Sequence, residues 1–208
     1  MKLFTLHSPS HQAMFDNYFK PSLIPGEYEL ISNIVDQECP SGSHYEPGWD
    51  KTTYRKVELF VKIAEENMGE IVLFSDVDIQ FFGPTKEILL EELGDYDMGM
   101  QSDGFDMACS GWIIFRCNDA ILAMFKNMLA NFATYKEDQI ALNSNRHLVR
   151  WKYLSGKFFT IFHTLQRVWA GEQDIIVPQD ILVHHANWCY YKDKIALLEL
   201  VKKKKLMN

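Results

Sequence analysis

The stretch Ile71-Val72-Leu73-Phe74-Ser75-Asp76-Val77-Asp78-Ile79 decides the fold class of this chain. Ile71 to Phe74 form a short continuous apolar run, as expected of a central parallel strand covered on both faces. Upstream, over residues 51–68, Val57, Phe60, Val61, Ala64 and Met68 recur at helical spacing, while Glu58, Lys62 and Glu65 lie off that stripe. A helix feeding a buried strand is the unit of an α/β protein. In open α/β sheets ligands collect at the carboxyl ends of the strands, and Ser75-Asp76-Val77-Asp78 falls there. Two carboxylates one residue apart can approach one divalent ion, and oxygen ligands suit Mg²⁺ or Mn²⁺. Two turn or helix-capping aspartates are the competing reading of the motif alone.

Outward from this stretch, Lys2 to Leu6 reads as a first strand and Gln12 to Phe19 as a helix interrupted by Pro21 and Pro25. Tyr28 to Ile34 reads as a second strand and residues 36–50 as a long loop, of a length that is often functional. Downstream come Ile79 to Phe82, a Gly83-Pro84 break, a helix to about Leu93, and strands near Met98 to Gln101 and at Gly111 to Arg116. Helices follow at Asp119 to Asn131 and Glu137 to Arg146, then apolar runs at Phe158 to Phe162 and Ile175 to Val177, a last strand at Ile181 to His184, and a terminal helix from Asp193. The alternation predicts a single α/β domain over residues 1–208, with a mostly parallel sheet flanked by helices. The lysines at 202–205 read as a solvated helix end, with an anionic membrane surface or a junction to further domains as alternatives.

The 208 residues are 47% hydrophobic, 13% aromatic and 24% charged, which is the composition of a globular enzyme or binding module. With 21 Lys plus Arg against 28 Asp plus Glu, the net charge of −7 argues against nucleic-acid binding, which needs a basic face. Cys39, Cys109, Cys117 and Cys189 are widely spaced and suggest neither a zinc site nor a disulfide framework, so a reducing cytoplasm is the simpler reading. The N-terminus is too quickly polar for a signal peptide, and no apolar run reaches the roughly 18 residues of a transmembrane segment.

Four segments together resemble a known family. Phe74-Ser75-Asp76-Val77-Asp78-Ile79 is similar to the metal motif of GT-A-fold, Rossmann-like glycosyltransferases, particularly the retaining nucleotide-diphosphosugar transferases related to glycogenin and plant cell-wall enzymes. Cys109-Ser110-Gly111-Trp112-Ile113-Ile114-Phe115-Arg116 looks like their strand carrying Ser/Thr-Gly. Glu137-Asp138-Gln139-Ile140-Ala141-Leu142-Asn143 looks like their helix with Asp-Gln, and Val183-His184-His185-Ala186-Asn187-Trp188 like their late histidine segment. The resemblance spans residues 2 to about 198. The compact, signal-free chain also resembles the small glycosyltransferase modules of large algal DNA viruses, for which the compartment would be the host cytoplasm.

The resemblance implies a Mn²⁺-dependent enzyme, with Mg²⁺ as the alternative ion, that moves a hexosyl or deoxyhexosyl group from a UDP-sugar donor to a glycan or glycoprotein acceptor with retention. Asp76, Asp78 and His185 are the implied metal ligands; His184, its strand neighbour, should point the other way. Val77 and Asn187 fall within the implied donor-binding segments. Lys56 matches a family lysine on the preceding helix, and Lys192 or Lys194 follows the histidine, where a cation aids the departing nucleoside diphosphate; surface lysines are the plainer reading of the last two. Asp138 and Gln139 correspond to residues beside the anomeric carbon, Asp138 as a hydroxyl acceptor and Gln139 as the β-face neighbour. Ser110 and Gly111 let backbone approach the sugar. Asp103 and Asp106 lie where the family touches the sugar, yet read more simply as solvated turn aspartates. Cys109 stands where the family has aspartate or asparagine, which leaves the sugar open. His7 and Ser8 occupy the family's nucleobase position without matching its residues. Trp49, Trp151, Trp169 and Trp188 are candidates for sugar stacking, although core packing suits most of them.

Three other classes compete. A haloacid-dehalogenase phosphatase also places D-x-D after an apolar strand, but here two predicted strands precede it and Gln80 replaces the usual small hydroxyl residue. A sugar-phosphate nucleotidyltransferase should open on a glycine-rich loop, and His7-Ser8-Pro9-Ser10-His11 has no glycine. A noncatalytic nucleotide-sugar or carbohydrate binder would keep the fold without turnover.

Overall fold

The structure, a computed structural model, describes residues 1–40, 42–44 and 46–207. Nine strands appear among these residues: β1 (Lys2–His7), β2 (Glu29–Ile34), β3 (Ile71–Ser75), β4 (Ile79–Phe81), β5 (Met98–Gly104), β6 (Met107–Arg116), β7 (Trp151–Tyr153), β8 (Phe158–Thr160) and β9 (Val183–His185). The longer helices are α1 (Trp49–Glu66), α2 (Lys86–Leu93), α3 (Asp119–Ala130), α4 (Asp138–Asn145) and α5 (Lys194–Met207). The main sheet has the order β2-β1-β3-β6-β5-β7, and a smaller one the order β4-β9-β8.

The apolar run at β3 sits where its composition demands. It pairs in parallel with β1 and antiparallel with β6, so both of its edges are covered. Val72 and Phe74 face one side with Ile113 and Phe115 of β6, against Val57, Phe60 and Ile63 of α1 and Phe125 of α3. Leu73 faces the other side with Trp112 and Ile114, against Phe15, Phe19 and Leu89. The alternation is the period-2 geometry of a strand packed on both faces. Phe60 anchors the first layer, fully buried and edge-on to Phe74 at 4.8 Å and stacked on Phe125 at 5.1 Å.

β6 alone runs against the other five strands of the main sheet. The cause is local: Phe105-Asp106 is too short a link from β5 to permit anything but a hairpin. Elsewhere the structure differs from the sequence expectations in detail. The segment read as one helix over Gln12–Phe19 is broken into short turns with a π-turn at Phe15–Phe19, and it continues through Pro21 to Ser22. Pro21 lies in the first turn of that last piece, where its missing N–H costs little. β7 escaped the sequence reading because three residues carry no pattern; its pairing with β5 defines it. Residues 175–177 form no strand: Ile175 and Val177 are buried in a third cluster with Leu197 and Leu198 of α5, and Ile176 is exposed. The last strand is Val183–His185, displaced from Ile181–His184. In the expected loop over residues 36–50, helix α1 already begins at Trp49, and Ser41 and Tyr45 lie outside the described residues.

Replacing the packing centre should be costly: Phe60→Ala is expected to lower unfolding free energy by about 3–5 kcal/mol, the range for a buried Phe truncated in a packed core. Urea denaturation checks it, and a loss below about 1 kcal/mol would contradict the assignment of Phe60 to the core centre.

Candidate functional site

The carboxyl ends of β1 and β3, the β5–β6 hairpin, the start of α4 and the segment after β9 surround a cavity of about 610 Å³. Asp76 follows the last residue of β3, and its N–H donates to the Gly111 carbonyl of β6 at 2.8 Å. Asp78 is fixed two residues on, its carbonyl accepting from Ala186 N–H at 2.8 Å. These two backbone bonds aim both carboxylates at β9. Asp76, Asp78 and His185 each bring a ligand atom within 4.8 Å of the others. Gly111 leaves this space open. A Cβ there would lie 2.4 Å from Asp76 Oδ2 and 2.6 Å from His185 Cε1. Two carboxylates and an imidazole around such a gap fit a divalent cation of the Mn²⁺ or Mg²⁺ type.

His185 is held by a residue that motif reading passed over. Gln101, buried on β5, donates through Nε2 to the Phe158 carbonyl at 2.9 Å, so its amide oxygen faces His185 Nδ1 at 2.9 Å. Nδ1 must therefore donate, leaving Nε2 to face Asp78 Oδ1 at 3.2 Å. Burial disfavours the imidazolium, but the Asp78 carboxylate and Cys109 outweigh it and push the His185 pKa up to about 10. Burial likewise opposes the charge on Asp78, yet Lys194 and His185 hold its carboxyl well below the usual range. Lys194 Nζ binds Asp78 directly and donates to the Ala186 carbonyl at 3.2 Å. His184 points the other way, as strand geometry requires. It is fully buried, and burial, then the adjoining His185, lowers its pKa to about 3.

On the opposite wall Lys56 Nζ lies 2.9 Å from Asp76 Oδ1 and 2.9 Å from Asp138 Oδ2. Burial works against its proton, but Asp138 and Asp76 more than compensate and keep Lys56 charged. Asp138, buried at the start of α4, also accepts from the Ser110 hydroxyl at 2.7 Å. Gln139 donates to Asp103 Oδ2 at 2.8 Å, and its oxygen faces Ser110 N–H at 3.4 Å.

Asp103 corrects an expectation. Rather than a solvated turn residue, it is a partly buried hub: Gln139, Asn187 (2.6 Å) and the Trp188 indole (2.9 Å) all donate to its carboxylate. Burial raises its pKa in spite of these donors. Asp106 matches the solvated reading, its exposed side chain engaged by Arg146 at 3.1 Å. Val77, His7 and Ser8 line the cavity with the acidic groups, whereas Lys192 is exposed and outside the lining. Of the two candidate lysines only Lys194 reaches the site. Trp49 and Trp188 line the cavity, Trp169 is core, and Trp151 packs under the Arg146 guanidinium at 4.3 Å. His11, unremarked in the sequence, is a further lining residue; burial and then Lys194 lower its pKa to about 4.

Among solved structures, the galactosyltransferase LgtC, crystallised with donor and acceptor sugar analogues, is similar at TM-score 0.55 and 15% identity, over 89% of this chain and 86% of that one. A glycosyltransferase involved in glycosylation of the major capsid of PBCV-1 gives TM-score 0.63 and 11% identity, over 96% and 98%. GlyE of Streptococcus pneumoniae TIGR4 gives 0.58 and 14%, over 88% of this chain and 54% of its own. At these identities the likeness establishes the GT-A glycosyltransferase fold. No curated protein matches the chain in sequence. No helix among the described residues is long and apolar enough to cross a membrane. The profile of one sequence family, however, matches residues 28–198, a span that holds β3 with its two aspartates, the Ser110-Gly111 strand, α4 and His185. The chain belongs to the nucleotide-diphospho-sugar transferase family.

Proposed function

We propose that the protein is a Mn²⁺-dependent glycosyltransferase that moves a hexosyl or deoxyhexosyl group from a UDP-sugar to a hydroxyl of a glycan or glycoprotein, with retention of anomeric configuration. The observation that carries it is the convergence of Asp76, Asp78 and His185 beside the gap at Gly111, in a cavity whose far wall presents Asp138 and Gln139. UDP, Mn²⁺ and retention are drawn from the family resemblance; the O/O/N ligand set supports a borderline-hard ion such as Mn²⁺. The same resemblance and the spacing of the thiols support the cytoplasm as its compartment.

Asp76, Asp78 and His185 would hold a divalent ion, which would supply Lewis-acid neutralisation of the charge that builds on a departing nucleoside diphosphate. The chain's own residues do the positioning. Lys56 ties Asp76 to Asp138, so the phosphate side and the sugar side of the cavity are set by one ammonium. Asp138 accepts a sugar hydroxyl with the oxygen that Ser110 and Lys56 leave free. Gln139, held by Asp103, keeps its amide beside the anomeric carbon. Lys194 brings a second cation to the diphosphate from its place on Asp78. In the transfer, the acceptor oxygen bonds to the anomeric carbon, the bond to the diphosphate oxygen breaks, and the acceptor's proton leaves with the UDP.

A noncatalytic binder is separated from an enzyme by one assay: incubation with Mn²⁺ and a panel of UDP-sugars should release UDP, whereas binding without release would favour the binder. Asp78→Ala is expected to abolish Mn²⁺-dependent turnover while the far-ultraviolet circular dichroism is kept; full activity would sink the metal assignment. Gln101→Met removes the acceptor for His185 Nδ1 while nearly keeping volume, and Mn²⁺ affinity should fall by about 10–100-fold, as for other lost outer partners of metal ligands. An unchanged dissociation constant in an electron paramagnetic resonance titration would show that Gln101 does not orient the ligand. Product stereochemistry, read from the anomeric ¹H coupling by NMR, should match the donor's; inversion refutes the retaining assignment.

A further inference from the structure

The link between β5 and β6 is unusual. Two-residue hairpin turns with both residues at positive φ favour Asn-Gly or Asp-Gly, because a side chain is disfavoured there. Here the pair is Phe105 and Asp106, at φ 48° and 60°. Phe105 is also the most exposed large hydrophobic residue described, at 77%. A bulky aromatic is thus held in a disfavoured conformation and turned toward solvent, which local propensity cannot explain.

The surroundings over-determine this pose. Asp106 accepts from Arg146 at 3.1 Å and from the Tyr153 hydroxyl at 3.0 Å, while its carbonyl accepts from Arg146 at 2.9 Å. Gly104 lets the Phe162 ring lie against the turn, where a Cβ would come within 1.9 Å of it. Phe162 packs edge-on to Phe105 at 4.8 Å and against Trp188 at 4.5 Å. Trp188 is itself at positive φ, its indole fixed by Asp103, the same carboxylate that holds Gln139. Phe105, Trp188 and the largely exposed Tyr190 line the same cavity as Asp138 and Gln139.

We propose that Phe105 is the platform of the acceptor subsite, stacking on the C–H face of a pyranose ring of the acceptor glycan. The inference rests on the glycosyltransferase reading and deepens it. A pyranose offers one face of C–H groups to the negative face of an aromatic ring and hydroxyls around its edge. The site matches that division, with Phe105 and Trp188 lining the same cavity as the polar side chains of Tyr190, Asn187 and Gln139. A purely apolar partner would cover the Tyr190 hydroxyl without offering it a hydrogen bond. Coupling through Asp103 sets the platform in register with Gln139, so the stacked ring presents its hydroxyl toward the sugar end of the cavity.

Saturation-transfer NMR with methyl glucopyranosides, galactopyranosides, mannopyranosides and xylopyranosides, in the presence of UDP and Mg²⁺, tests this on the intact protein. At least one glycoside should receive saturation on the protons of one ring face. Phe105→Ala should reduce that signal at least fivefold, Phe105→Tyr should keep it, and Phe105→Leu should not restore it, with the UDP signal equal in all four proteins. Glycosides that stay silent while UDP is saturated, or a glycoside signal unchanged in Phe105→Ala, overturn the platform and leave the nucleotide site standing. Silence from UDP as well overturns the nucleotide-sugar reading and the platform with it. A wild-type dimer by light scattering that Phe105→Ala dissolves, with no change in glycoside signal, would make the ring a self-association contact and overturn the proposal.

Discussion

Lys56 carries an ammonium into the protein interior and sets it between Asp76 and Asp138, over the face of Phe74 at 5.2 Å. Moving a charge out of water costs several kcal/mol, and removing one partner of a buried pair typically costs about 3–5 kcal/mol. The arrangement is therefore stable only while three elements stay in place: α1 for the lysine, the end of β3 for one aspartate and the start of α4 for the other. The hydrophobic layers explain why they stay. Phe60 lies one helical turn after Lys56 on α1 and packs against Phe74 of β3 and Phe125 of α3, so the seam that buries the core also fixes the ion bridge.

A second charge network faces the first across the cavity. Asp78 receives Lys194 from α5 and His185 from β9, and His185 is aligned from behind by Gln101 of β5. The two aspartates of one short motif are thus supported from opposite sides: Asp76 by α1, Asp78 by the C-terminal third of the chain. The split arises in the bend between β3 and β4, where Asp76 and Asp78 flank Val77, which packs on the second core cluster and also lines the cavity. The antiparallel strand β6 completes the site, since its Gly111 leaves room where a Cβ would meet both Asp76 and His185.

Much of this was legible in the sequence. The continuous run Ile71–Phe74 and the stripe from Val57 to Ala64 carried the α/β class and the strand-end position of the aspartates, because burial pattern and local spacing encode them. The histidine segment was legible only through the family resemblance of four motif segments in order. Gln101 and the hub role of Asp103 were not legible. Gln101 did leave a trace, a polar residue in a strand of buried apolar ones, but its partner lies 84 residues away. For Asp103, the donors Gln139 and Trp188 are 36 and 85 residues distant, and nothing local distinguishes it from Asp106, three residues on and truly exposed.

What the sequence by itself determined is the part built on near neighbours: which segments are strands or helices, which face each buries, and which residue types stand at a strand end able to approach a divalent cation. Tertiary structure alone decided the choice of Lys194 over Lys192 and the network that locks Asp103, Gln139 and Trp188 together. The physical reason is the same in each case. Hydrophobic periodicity acts over a few residues and can be read along the chain, whereas the partner of a buried charge or hydrogen-bonding group is chosen by which distant segments the packed core brings within about 3 Å.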